Sequence, residues 1–174
     1  MSRSTSPDWL PVRVERMTEM DLEAVLAIER ASFPSPWPGE VFLGELHDER
    51  LARLSVARVA EGAHRGTVVG YACAWIIVDE LHIINFAVHP ECRRRHVGYQ
   101  LLKGVLTQAH ELGCRQAVLE VRASNRGAQR LYSQFGFAPV AVREHYYTEE
   151  NEDAIVMFLT DIAARLPRTP AQGE

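Results

Sequence analysis

Apolar positions in this chain change their period repeatedly, and each change marks an element. Val12-Arg13-Val14-Glu15-Arg16 alternates apolar and charged residues, the period of a half-buried strand. Thr18-Glu19-Met20-Asp21 has the form of a capping box, and Leu22, Val25, Leu26 and Glu29 follow at helical spacing. The prolines of Phe33-Pro34-Ser35-Pro36-Trp37-Pro38 end that helix, because proline lacks an N–H and clashes with the turn before it. A second helix is predicted over Glu40–Glu49. Leu54–Ala60 and Val68–Val78 read as strands separated by the turn-forming Glu61–Gly66. Glu80–Val88 is a third strand reached through a tight turn near Asp79, so the three predict an antiparallel meander.

Further on, Leu101, Leu102, Val105, Leu106, Ala109 and Leu112 share one helical face, and Gly113 supplies the stop. Gln116–Arg122 then reads as a buried strand and Asn125–Phe135 as a helix closed by Gly136. Two late strands are predicted near Pro139–Tyr146 and Asp153–Thr160. The order β-α-α-β-β-β-α-β-α-β-β predicts an α/β (mixed α+β) fold, with helices on the faces of a mixed sheet. The strands before and after the long helix make a βαβ unit and should lie parallel.

Composition adds limits more than content. A chain of 174 residues, 47% hydrophobic and 24% charged, suits one domain with a sizeable core. Its Ser/Pro-rich start and Pro-containing end predict flexible tails at 1–8 and 167–174 around a single domain, 9–166. A net charge of -4 argues against direct nucleic-acid binding. Cys73, Cys92 and Cys114 are odd in number and widely spaced, which predicts neither a disulfide framework nor a metal pair. The seven histidines show no convergent spacing, so no metal is expected. No apolar signal core or membrane-spanning run is visible, and the expected setting is cytoplasmic, without membrane association.

Chemistry concentrates in Val88–Leu102, where a strand runs into Arg93-Arg94-Arg95-His96 and then opens a helix containing Gly98. Unpaired N–H groups and the positive end of the helix dipole meet there, which suits a phosphate. A solvated charge run is the competing reading of the three arginines. Placement between strand and helix favours the anion. His96 is awkward, since such loops favour glycine; a side chain held at positive φ costs about 1–2 kcal/mol.

Two more segments sharpen this. Leu119-Glu120-Val121-Arg122-Ala123-Ser124-Asn125 sets a carboxylate in an apolar strand, costly unless used or paired. Leu131-Tyr132 and Phe135-Gly136-Phe137 follow on the next helix. With the basic loop, Asn85–Pro90 and Asp153–Met157, these segments resemble the GNAT superfamily of acetyl-CoA-dependent N-acetyltransferases over about Arg13–Leu159. Within it the likeness is to the bacterial RimI type, which acetylates the N-terminal amine of a ribosomal protein.

The resemblance implies the GNAT fold, a mostly antiparallel sheet of about seven strands flanked by four helices. It also implies acetyl-CoA as cofactor. The acceptor would be a protein or peptide N-terminus, that of an alanine-starting ribosomal protein of the bS18 type, attacking directly in a ternary complex. A monomer is the default. Backbone groups of Phe86, Ala87 and Val88 would hold the thioester, and Arg94, Arg95, His96, Val97, Gly98 and Tyr99 the pyrophosphate. Glu120 would act as base, with a salt bridge to an arginine such as Arg122 as its alternative role. Tyr132 would act as acid, although it also shares an apolar helix face with Ala128, Leu131 and Phe135. Asn125 fits both a cofactor contact and a helix N-cap. Trp37, Tyr146 and Tyr147 would flank the acceptor. A lysine or small-amine acceptor keeps the same chemistry, and a non-catalytic acyl-CoA-binding module is the reading of a different class.

Overall fold

Turn and cap residues place the element boundaries close to where the hydrophobic pattern puts them. The computed structural model describes residues 8–167, so the tails expected at 1–8 and 167–174 lie outside it apart from Asp8 and Pro167. In chain order the elements are β1 (Val12–Arg16), α1 (Leu22–Ser32), α2 (Gly39–His47), β2 (Ala52–Val59), β3 (Val68–Ile77) and β4 (Glu80–Val88). They continue with α3 (Val97–Glu111), β5 (Gln116–Arg122), α4 (Arg126–Gln134), β6 (Ala138–Tyr147) and β7 (Glu152–Leu159). One sheet contains all seven strands in the order β1-β2-β3-β4-β5-β7-β6. The β2–β3–β4 meander is antiparallel and β4 pairs with β5 in parallel, as the pattern requires.

Local chemistry explains the ends. Thr18 N–H donates to Asp21 Oδ2 at 3.0 Å, closing the turn before α1, and Asp21 also meets Arg58 of β2 at 2.8 Å. Helix α2 stops at His47, short of the expected Glu49, because the Asp48 carboxylate accepts the N–H groups of Arg50 and Leu51. Strand β2 consequently starts at Ala52, ahead of the expected Leu54.

Helices pack on both faces of the sheet, while the edge strand β6 stays exposed. On one, Leu101, Leu102 and Leu106 of α3 and Phe135 beside α4 pack over Leu81, Leu119 and Leu159. On the other, Val25 and Ile28 of α1 and Phe42 of α2 pack over Val56 and Tyr71. A carboxylate lies within this second layer. Glu29 is 1% exposed and accepts the Trp37 N–H at 2.9 Å, the Asn85 amide at 3.0 Å and the Tyr71 hydroxyl. Burial pushes its pKa up. Removing it in Glu29→Ala leaves three donors without their acceptor, which should cost about 3 kcal/mol. A urea-denaturation midpoint unchanged by that substitution would contradict this account.

The site depends on where β4 and β5 part. Their ladder runs only from Glu80↔Gln116 to Ile83↔Leu119. On the β3 side, Cys73 pairs with Asn85 and Ala74 with Ile83, so Ile84 is an extra residue in a bulge. A bulge bends its strand. Beyond it, Asn85–Val88 and Glu120–Arg122 are no longer neighbours, and a cleft opens between them.

Candidate active site

The cleft has a volume of about 1030 Å³ and reaches from the N-terminus of α3 to the β6–β7 turn. Every site residue expected from the sequence lines it except Arg95.

At the α3 end, Arg94 and His96 both adopt left-handed backbone, with φ of 59° and 61°. The first helical bond is Gln100 N–H to the His96 carbonyl at 3.1 Å, so the N–H groups of Val97, Gly98 and Tyr99 have no intrahelical acceptor. Close approach also matters here. A Cβ on Gly98 would lie 3.1 Å from Leu131 Cδ2, against the second half of α4. Tyr99 packs on Phe135 with centroids 4.8 Å apart. Arg95 lies outside the cleft lining, between two left-handed residues, and its carbonyl accepts Leu10 N–H at 3.1 Å from the chain before β1. Arg93 is a clamp instead, donating to the Val88 carbonyl at 3.0 Å and to Ser32 Oγ at 3.1 Å.

The middle of the cleft is the β4 edge that has lost β5. Ala87 is buried, and the Phe86 ring meets Tyr132 edge to face at 6.0 Å. Backbone groups on this edge are available to a ligand that pairs like a strand. Tyr132 is 6% exposed and also abuts Phe137 at 5.8 Å. Burial pushes its pKa well above the usual phenol value of 10.0. Asn125 is the N-cap of α4, its Oδ1 accepting Ala128 N–H at 3.1 Å.

Strand β5 alternates strictly, with Ala117, Leu119 and Val121 buried. Glu120 therefore projects to the opposite face. Its partner is Arg143 of β6, with Nη1 3.0 Å from Oε1, and not Arg122. Arg122 instead bridges Glu150 at 3.4 Å and Glu152 at 3.3 Å and lies over the Tyr147 ring at 3.9 Å. Desolvation pushes the Tyr147 phenol up to about 12. Arg143 sits 4.6 Å over Tyr146. Across the mouth, Trp37 packs on Phe42 at 5.4 Å, and the Ser35 hydroxyl lies within hydrogen-bond reach of the Glu149 carboxylate and, at 3.0 Å, of the Glu150 carboxylate. Trp37, Tyr146 and Tyr147 thus frame one opening.

The burial of Glu29, the pairing of Arg143 with Glu120 and the Glu149–Glu150 turn had no sequence signal. Glu29 sat at a helical spacing that any amphipathic helix shows, and Arg143 reaches Glu120 only through the β5–β7–β6 pairing. Together the groups provide an anion cradle, an open strand edge, a phenol and a carboxylate along one cleft. The cradle fits a pyrophosphate, since its N–H groups have no acceptor among the described residues and Gly98 carries no side chain beside them.

Residues 22–137 match the acetyltransferase (GNAT) family model. Over 147 residues the chain is 37% identical to a Bacillus subtilis protein named for ribosomal protein bS18-alanine N-acetylation, spanning 84% of this chain and 94% of that one. It is 30% identical over 148 residues to the ribosomal protein bS18-alanine N-acetyltransferase of Escherichia coli K12, covering 84% and 95%. The crystal structure of the Escherichia coli ribosomal-protein-S18-alanine N-acetyltransferase superposes with a TM-score of 0.75 at 27% identity, covering 94% of this chain and all of that one. Sheet, cleft and sequence agree, and the chain belongs to the GNAT acetyltransferase family.

Proposed function

We propose that this acetyltransferase modifies the α-amino group of a protein N-terminus, with acetyl-CoA as donor, by direct attack in a ternary complex. One observation carries the reading: Glu120 and Tyr132 line the same cleft, opened by the bulge at Ile84, between an anion cradle and an aromatic mouth. The named relatives support the finer form, in which the acceptor is the N-terminal alanine of a ribosomal protein. The three free cysteines fit a reducing, cytoplasmic setting.

When bound, acetyl-CoA supplies a thioester carbonyl as electrophile. The N–H groups of Val97, Gly98 and Tyr99, with Arg94 beside them, hold the pyrophosphate. Open backbone of Phe86–Val88 holds the acyl arm, and an N–H on this edge stabilises negative charge as it develops on the carbonyl oxygen. An α-amino group titrates near ~8, so at neutral pH it must lose a proton before attacking. Glu120 accepts that proton, directly or through water. Tyr132 is the group placed to protonate the departing sulfur as the C–N bond would form and the C–S bond break. The second amine proton, released as the amide forms, would pass through water to return the phenol to its neutral form. Trp37, Tyr146 and Tyr147 receive the first residues of the acceptor.

The test is incubation with acetyl-CoA and a panel of N-terminal peptides, lysine-containing N-blocked peptides and polyamines, read by mass. The expected product is a peptide acetylated at its α-amine, with alanine-first sequences leading. Turnover of lysine side chains or polyamines alone would overturn the proposal. Binding of acetyl-CoA with no product from any amine would favour a non-catalytic module.

A further inference from the structure

His96 holds a conformation that side-chain-bearing residues rarely adopt, and the chain before β1 is fastened around it. Its φ is 61° and ψ 15°, at the N-cap of α3. The Trp9 ring stacks on its imidazole, with centroids 4.9 Å apart and planes 28° from parallel. Leu10 N–H donates to the Arg95 carbonyl at 3.1 Å. The Gln100 side chain completes the attachment. Its amide donates to the Leu10 carbonyl at 2.9 Å and the His96 carbonyl at 3.1 Å, and its oxygen accepts Val12 N–H at 3.1 Å. Further along, a Cβ on Gly104 would come within 2.7 Å of Val14, so β1 and α3 touch closely.

These contacts meet at one residue. A strained backbone persists only where its surroundings over-determine it. Here the stack holds the imidazole against the N-terminal segment, the Gln100 bond fixes the His96 carbonyl, and the Leu10 bond fixes the peptide before it. The result is a fixed turn whose next three N–H groups have no acceptor among the described residues.

We propose that Trp9 is a positioning residue for cofactor binding: its stack on His96 holds the left-handed turn that aims the first N–H groups of α3 at the pyrophosphate. The inference rests on the reading of this loop as the pyrophosphate site. Trp9 touches no reacting atom, so its removal acts on cofactor affinity and leaves the chemical step alone.

The experiment is a double-mutant cycle read by calorimetric titration with CoA. Trp9→Ala is expected to weaken CoA binding about fivefold, the scale of one aromatic stack. The KM for acetyl-CoA should rise by the same factor, with kcat and the peptide KM unchanged. Trp9→Phe, which can still stack, should recover most of the affinity. In a His96→Gly background, where glycine takes up the turn unaided, Trp9→Ala should change affinity by less than about 1.5-fold. An equal loss in both backgrounds would show that Trp9 acts through general stability, and would overturn the proposal. Unchanged binding in Trp9→Ala overturns it as well. Failure of the unsubstituted protein to bind CoA would instead remove the loop assignment, and the role of Trp9 with it.

Discussion

Tyr132→Phe should lower kcat about 100-fold, the usual scale of a lost general acid, and leave CoA affinity within about twofold. The ring itself has little reason to move. Phe86 and Phe137 meet its edges at 6.0 and 5.8 Å, and phenylalanine fills the same space. Thermal stability should therefore stay close to that of the parent. Burial pushes the phenol's pKa up, which means that the protonated form persists to higher pH than in a free tyrosine. The sign has a consequence for the parent enzyme. Its rate should rise with pH as the acceptor amine deprotonates, with no falling limb from Tyr132 below about pH 10. Stopped-time assays across pH, with saturating acetyl-CoA, measure both effects. Parental kcat in Tyr132→Phe would return this residue to the core, where its helix face already places it.

The difference between what could be read from the chain and what could not follows the range of the interactions. Helix α3 was legible because its six apolar positions repeat locally, and β5 because alternation and a buried run need only neighbours in sequence. The basic loop was legible for the same reason, since strand, arginines and helix start are consecutive. Even the strain at His96 could be anticipated, because the loop calls for positive φ whatever residue fills it. The partner of Glu120 could not. Arg122 lies two residues on, on the same face of β5, and was the natural candidate, yet its side chain is taken up by Glu150, Glu152 and Tyr147, while Arg143 arrives from two strands away. The cleft itself was also hidden. It depends on one extra residue at Ile84 in the β3–β4 pairing, a register fact that no local pattern carries. Glu29 shows the same limit from the other side. Its spacing marks a helix face, but only packing reveals that Trp37, Tyr71 and Asn85 converge on it.

Glu120→Gln should lower the rate about 100-fold near pH 6.5, with the deficit narrowing as pH passes ~8. The reason is the acceptor. Below that value its amine is mostly protonated and the reaction needs a group to take the proton, which an amide cannot do. Above it, solvent has already removed the proton and a base matters less. The substitution is close to isosteric, so the β5 strand and the Glu120↔Val156 pairing should survive. A second variant separates catalysis from structure. Glu120 bonds Arg143 at 3.0 Å, on a guanidinium whose side chain is 53% exposed, and so exposed a pair contributes at most about 1 kcal/mol. If holding Arg143 were the whole role of Glu120, Arg143→Ala would reproduce the loss at every pH. We expect Arg143→Ala to change the rate no more than about fivefold, with the parental pH profile kept. A Glu120→Gln enzyme whose deficit is the same at pH 6.5 and at pH 9 would remove Glu120 from proton transfer and leave it as the anchor of β6.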